Sequence, residues 1–211
     1  MGRGGHAKVL REFEAAAGYR TVALVDNDPS VISPWPELPV LAGEAGLRRY
    51  LADNPGETWG AIAIGGLRGG DRMAIQNLMA DCGLHIATMV HPTAFVATTA
   101  RVGEGSQILA RAAVCAEAEI GRATIVNTSA SVDHETRLGD GVHIAPGATL
   151  AGCIDIGDYV FIGPGAVVTA RCRIGQNSVV AAGAVVLNDV VENTKVYGVP
   201  AQSRLSRHFK K

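Results

Sequence analysis

The stretch Val126-Asn127-Thr128-Ser129-Ala130-Ser131-Val132-Asp133-His134-Glu135-Thr136-Arg137-Leu138-Gly139-Asp140-Gly141-Val142-His143-Ile144 returns to an aliphatic residue at every sixth position. Worked outward, the rhythm holds from Val90 to Val186 without an insertion. It passes through Val96, Val102, Ile108, Val114 and Ile120 on one side, and Leu150, Ile156, Ile162, Val168, Ile174 and Val180 on the other. The residue two before each aliphatic is small or β-branched, as in Ala112, Ala118, Thr124, Ala130, Thr136 and Ala148. A strand alternates its faces, so these two positions share one side and point inward. The residues between them turn a corner, where Gly, Asn and Asp tolerate unusual dihedrals. Three hexads close a triangular coil of about 18 residues, and stacked coils pair about 4.8 Å apart. The block therefore predicts about five coils of a hexapeptide β-helix. An ordinary β-sandwich would instead show turns at uneven spacing.

Composition agrees. Of 211 residues, 47% are apolar but only 5% aromatic, and 26 are glycine, which suits thin, regular interiors. Charged residues make up 18% and the formal net charge is -1, which gives no electrostatic case for nucleic acid or an anionic membrane as partner. No apolar run is long enough to span a bilayer, and Met1-Gly2-Arg3-Gly4 lacks the apolar stretch of an export signal. The cysteines Cys82, Cys115, Cys153 and Cys172 form no CxxC pair and read as reduced thiols of a cytoplasmic protein.

Residues 1–88 follow another pattern. Ala7–Ala17 is helical and stops at Gly18, Arg20–Val25 is an apolar strand ending at Asp26, and Leu47–Asp53 is a second helix. Ala61–Ile64 followed by Gly65-Gly66 reads as strand and turn, Asp71–Asp81 as a helix, and Leu84–Val90 as the lead into the first coil. Alternating strands and helices predict a small Rossmann-like α/β unit, with residues 89–211 forming the β-helix and its tail. The opening Gly2-Arg3-Gly4-Gly5-His6-Ala7 approximates a G-x-G-x-x-G/A loop, with Asp26 about 20 residues on, where such folds hold a ribose or base. The strand that ordinarily precedes such a loop is missing from the pattern.

The hexads resemble those of the left-handed β-helix acyltransferases, and Gly198-Val199-Pro200-Ala201 is similar to the ending that closes their last coil. Left-handedness, a homotrimer and active sites between subunits follow from that resemblance. The front adds Gly4-Gly5-His6-Ala7-Lys8-Val9, Asp26, Ile64-Gly65 with Arg72, and His91-Pro92. With these the chain resembles, over nearly its whole length, the bacterial sugar O- and N-acetyltransferases of the sialic-acid O-acyltransferase type. The resemblance implies acetyl-CoA as co-substrate, no metal, and a nucleotide-linked amino sugar held at Gly4, Gly5, His6, Asp26, Asn27, Gly65 and Arg72.

The same resemblance makes His134 and Glu135 the catalytic pair. Val132 and Thr136 point inward, which leaves Asp133, His134 and Glu135 facing out at a corner. Histidine titrates near neutral pH, so it suits removal of one proton from an attacking amine or hydroxyl. Glu135 would orient the ring, as the acid of a triad does. Backbone N–H groups near the Gly-rich corners could stabilise the tetrahedral oxyanion, and Gly152, 18 residues after His134, is the candidate for that close approach. Gly152, His143, Pro164 and Ala182 are expected at the coenzyme. Asn127 is as compatible with stacking along the coils as with catalysis, and Cys153 lacks an evident base for a nucleophilic role. The leading expectation is N-acetylation of a nucleotide-linked amino sugar. O-acetylation of a sialic acid is the alternative. A zinc-dependent carbonic-anhydrase-like enzyme would need three converging histidines, and a non-catalytic scaffold would need none.

Overall fold

The computed structural model describes residues 5–28 and 30–203. From Met89 onward the chain winds as a three-sided parallel β-helix. Each aliphatic of the six-residue rhythm ends a two-residue strand, and strands 18 residues apart pair: Val90 with Ile108, Val132 with Leu150, Leu138 with Ile156, Ile144 with Ile162. The first face holds Met89–Val90, Gln107–Ile108, Ile125–Val126, His143–Ile144, Phe161–Ile162 and Val179–Val180. The second runs from Phe95–Val96 to Val185–Val186, and the third from Arg101–Val102 to Arg173–Ile174. The expected inward pairs are buried: Ala130 with Val132, Thr136 with Leu138, Val142 with Ile144. Lys195–Tyr197 continues the first face and Gln202–Ser203 turns back antiparallel on it, so the predicted ending does close the stack.

The corners are as regular as the strands. Every sixth residue from Gly105 to Gly183 has a positive φ, between +49° and +75°. Glycine holds this place at Gly105, Gly141, Gly147, Gly165 and Gly183, but Arg111, Glu117, Ser129, Glu135, Cys153 and Arg171 hold it too. Ladder hydrogen bonds above and below the corner offset the left-handed cost in these residues. Glycine is required elsewhere. A Cβ on Gly121 would come within 2.4 Å of the Gly139 backbone in the next coil, so the glycine column Gly103, Gly121, Gly139, Gly157, Gly175 lets the coils approach.

Ahead of the coils lie α1 (Gly5–Arg11), β1 (Leu24–Asp26), β2 (Val40–Ala42), α2 (Gly43–Asp53), β3 (Trp59–Gly60), α3 (Gly69–Asp81) and β4 (His85–Ile86). Helices and parallel strands alternate from β2 onward, with shifted limits, while β1 and β2 follow one another without a helix between them. The first helix loosens after Arg11 into tight turns that end at Gly18 (φ +85°), where the Tyr19 N–H reaches Glu14 O. The strand expected over Ala61–Ile64 pairs one step earlier, through Trp59–Gly60 against His85–Ile86. The parallel pairs β1–β2 and β3–β4 are separate. Between them lies an apolar cavity of about 560 Å³, lined by Leu10, Leu24, Ile62, Ile64, Met79 and Leu84 among others.

The front segment sits on the first face. Leu10, Phe13 and Ala63 pack with Met89, Leu109 and Ile125. Among the described residues, no helix is long and apolar enough to cross a membrane.

Candidate active site

His134 and Glu135 occupy the corner between the second and third faces. Val132 and Thr136 on either side are buried, which drives the three intervening side chains, Asp133, His134 and Glu135, outward. The imidazole and carboxylate are 53% and 58% exposed, open to solvent or to a ligand. His134 Nδ1 lies 3.0 Å from Glu135 Oε2. A carboxylate only accepts, so Nδ1–H donates and Nε2 keeps a lone pair. Glu135 is held below the usual carboxylate range, first by the His134 hydrogen bond and then by Cys153. Asp133 Oδ1 accepts the His134 backbone N–H at 2.7 Å and fixes the corner.

Gly152 lies one coil on. A Cβ there would come within 2.5 Å of His134 Cε1 and Nε2. The expected close approach is thus an approach of the imidazole ring itself to the Gly152 backbone. Cys153 follows, with its thiol 3.6 Å from Glu135 Oε2. Burial and the neighbouring carboxylate both push this thiol up. The sequence showed no base near Cys153. The structure supplies a carboxylate, but one that disfavours the thiolate a nucleophile needs.

A second cluster forms where the front segment meets the first face. His6 Nε2 lies 2.6 Å from Gln107 Oε1, and Gln107 Nε2–H donates to Ile62 O at 2.7 Å. His143, expected at the coenzyme, is instead buried beneath the Gly65-Gly66 turn. Its Nδ1 is 2.9 Å from the Gly66 N–H, its Nε2 is 3.1 Å from the Asn127 amide nitrogen, and its ring meets Phe161 edge-on. With Nε2 accepting from the Asn127 amide, the single N–H of the neutral ring sits on Nδ1, 3.3 Å from Gly66 O. Burial first, and the Arg72 charge second, lower its pKa to about 3. The burial follows from register: His143 is the outward residue of a first-face strand, and the front segment covers that face.

Arg72 also departs from expectation. Rather than facing a substrate, its guanidinium is buried and bonds the carbonyls of Ala123, Gly141 and Val142 at 2.8, 2.6 and 3.1 Å. Desolvation lowers its pKa to about 10. It pins α3 to the glycine-lined corner of the coils. Gly5 and His6 open α1, and a Cβ on Gly65 would stand 3.9 Å from His6 and 3.7 Å from His143. Asp26 ends β1 with its Oδ1 accepting the Asp28 N–H at 3.0 Å, and Asn27 reaches over Gly43. Gly4 and residues 204–211 lie outside the described residues. Pro164 and Ala182 are exposed, one coil apart, at the corner between the first and second faces.

Within one chain, then, His6, Gly65, His143, Gln107 and Asn127 come together, while the dyad sits at another corner. Gln107 and Gly66 escaped the sequence reading. The signal for Gln107 was present: the outward first-face positions Met89, Gln107, Ile125, His143, Phe161 and Val179 lack the charges that mark the third face. The 560 Å³ cavity contains neither member of the dyad and belongs to the interior of the front segment.

The bacterial transferase hexapeptide family (six repeats) matches residues 153–188. No curated protein compared with the chain matches it. Among solved structures, GDP-perosamine N-acetyltransferase from Caulobacter crescentus, a histidine-to-alanine mutant in complex with CoA and GDP-perosamine, is 34% identical with a TM-score of 0.89. The match covers 97% of this chain and 95% of that one. The acetyltransferase domain of PglB from Neisseria gonorrhoeae, in complex with acetyl coenzyme A, is 32% identical with a TM-score of 0.84, over 96% of each chain. WeeI from Acinetobacter baumannii, at 24% identity and a TM-score of 0.76, shares the fold. Hexads that set the coils, a front α/β segment seated on one face and identity of this extent over nearly the full length make this chain a member of the left-handed β-helix sugar N-acetyltransferases.

Proposed function

We propose that this protein transfers the acetyl group of acetyl-CoA to the amine of a nucleotide-linked amino sugar, with His134 as general base. The observation that carries the reading is the outward His134–Glu135 pair: an exposed imidazole whose Nδ1 is 3.0 Å from a carboxylate and whose Nε2 lies against Gly152. Full-length likeness to a GDP-perosamine N-acetyltransferase supports a GDP-linked amino sugar as substrate class.

The chemistry follows from that arrangement. The neutral amine attacks the thioester carbonyl carbon, and its proton passes to His134 Nε2. Glu135 accepts the Nδ1–H and stabilises the imidazolium that forms. The Gly152 N–H has no hydrogen-bond partner among the described residues and is a donor for the developing oxyanion. Collapse of the tetrahedral species expels the coenzyme thiolate, which takes the proton back from His134. Base catalysis of this kind is worth about 10²–10⁴-fold.

Three faces of unlike chemistry support a homotrimer. The front segment covers the first. The third carries an exposed ladder of alternating charge, Arg101–Glu119–Arg137–Asp155–Arg173, with contacts of 3.6 to 4.0 Å. The second presents Phe95, Ala113, Ser131, Thr149, Val167 and Val185, uncharged and uncovered. The dyad borders this second face, and Pro164 and Ala182 border its other edge. Packing of second faces among three copies would bring one chain's dyad toward another's small-residue corner, where the pantetheine arm of the coenzyme fits. The front segment, residues 1–88, would hold the nucleotide sugar near His6, Asp26, Asn27 and Gly65. Abundant acetyl-CoA makes the cytoplasm the working compartment.

The test is acetyl transfer, followed by chromatography, from acetyl-CoA to a panel of GDP-, UDP- and dTDP-amino sugars and free sialic acid. Turnover of an amino sugar supports the reading. Turnover of sialic acid alone overturns it in favour of a hydroxyl acceptor. Light scattering on the purified chain reads the trimer.

A further inference from the structure

We propose that the corner formed by His134, Glu135 and Cys153 binds a thiophilic divalent cation of the zinc type, and that this cation switches the base off. The binding half rests on geometry alone, and the inhibitory half rests on the acetyl-transfer reading above.

One ligand atom from each of the three residues lies within 4.8 Å of the other two. Nδ1 and Oε2 are 3.0 Å apart, and Oε2 and Sγ 3.6 Å. A tetrahedral zinc with N and O ligands at about 2.0–2.2 Å and S at about 2.3 Å sets its donors roughly 3.3–3.7 Å apart. The Nδ1–Oε2 separation has to open by only a few tenths of an ångström, and the Oε2–Sγ separation already falls in this range. The coil repeat explains the convergence. Residues 135 and 153 hold the same left-handed corner position in successive coils, at φ +56° and +58°. Their backbones are fixed by the bonds Glu135 N–H to Ala116 O at 3.0 Å and Cys153 N–H to His134 O at 2.9 Å. The donors are therefore placed by the scaffold, with a fourth position left to water. The nearby charges of Asp133 and Arg171 act in opposite senses.

The consequence for the base is a change of tautomer. In the metal-free dyad Nδ1 carries the proton and Nε2 the lone pair. A cation on Nδ1 requires that nitrogen's lone pair, so the ring proton moves to Nε2, where it blocks proton abstraction. Glu135 passes from hydrogen-bond acceptor to ligand. The thiol becomes a thiolate and releases one proton to solvent, so binding tightens as pH rises.

Two measurements on the full chain decide the matter. The first titrates EDTA-treated protein with zinc chloride against a metallochromic indicator, for the parent and for Cys153→Ser, with magnesium as control. We expect one zinc per chain, held about tenfold or more weaker after Cys153→Ser, and no magnesium binding. Zinc should also shield Cys153 from iodoacetamide, located by peptide mass spectrometry. The second follows acetyl-product formation. Zinc should inhibit the parent and EDTA restore it, while Cys153→Ser, read against its own zinc-free rate, loses most of the sensitivity. Equal zinc affinity in the parent and Cys153→Ser, or no protection of the thiol, overturns the site. Zinc that binds the corner without slowing turnover overturns the switch alone. A parent inactive on every amino sugar refutes the acetyl-transfer reading, while the binding arm still decides the site.

Discussion

In the coils each buried side chain meets its equivalent one turn away: Ile144 lies over Ile162, Leu138 over Ile156, Val132 over Leu150. In the front segment nothing repeats. Its strands form two separate pairs with an apolar cavity between them, and α3 is tied down by one arginine bonded to backbone carbonyls of the coils. The difference shows two ways of placing chemistry. A solenoid turns a sequence period into a spatial column, so residues 18 apart, such as Glu135 and Cys153, become neighbours automatically. A docked α/β segment creates neighbours, such as His6 and Gln107, that no local rule specifies.

That contrast is open to experiment. The largest effect is expected at the coil corner. His134→Ala should lower kcat/KM by about 10²–10⁴-fold and leave thermal stability unchanged, because the exposed ring adds little to packing. A fall in melting temperature of similar weight would show that the corner is structural. Next is the coil core. Ile162 is fully buried, and Ile162→Ala should cost about 2–5 kcal/mol in denaturant unfolding. A loss below about 1 kcal/mol would mean that the neighbouring coils close the gap.

At the junction, Arg72→Met removes three hydrogen bonds to buried carbonyls and should cost about 3 kcal/mol. The loss should concentrate in the front segment. Hydrogen exchange should rise in α1, α3 and β4 while the coils stay protected, and uniform exchange would contradict this division.

The pH dependence tests the same junction. His143 titrates at about 3 in the folded protein and near 6.5 when unfolded. Because the folded value is the lower one, its contribution is fully present above about pH 6.5 and is lost as pH falls toward 3, the unfolded chain gaining the proton first. Between pH 6.5 and 5.0 this removes about 2 kcal/mol. His6, also lowered by burial, acts in the same direction. Denaturant midpoints at pH 7 and 5 should show the drop, and His143→Phe should flatten it.

Glu135→Gln carries the smallest effect, about tenfold in kcat, because an amide can still accept the Nδ1–H but stabilises the imidazolium less. No change in rate would remove Glu135 from the dyad.

The reach of the sequence followed the same divide. The coil register, the inward pairs and the corner carrying His134 and Glu135 were legible, because a six-residue period fixes which side chains face in and which stand at an edge. The front segment was legible as alternating helices and strands, but its limits moved. The immediate partners of Arg72 and His143 were not legible, because they come from tertiary docking: Ala123 O and Gly141 O for the one, the Gly66 backbone and the Asn127 amide for the other. A clue lay in the outward residues of the first face, where Ile125, Phe161 and Val179 stand in register with sites that are charged on the third.

By itself, then, the sequence determined the coil, its 18-residue pitch and the exposed imidazole–carboxylate corner, since each depends on backbone alternation and local turns. Only the tertiary structure decided which face the front segment covers, that His143 lies neutral beneath it, and that Cys153 shares a corner with the dyad's carboxylate. Those facts depend on two surfaces meeting, and burial and donor geometry act only once they have met.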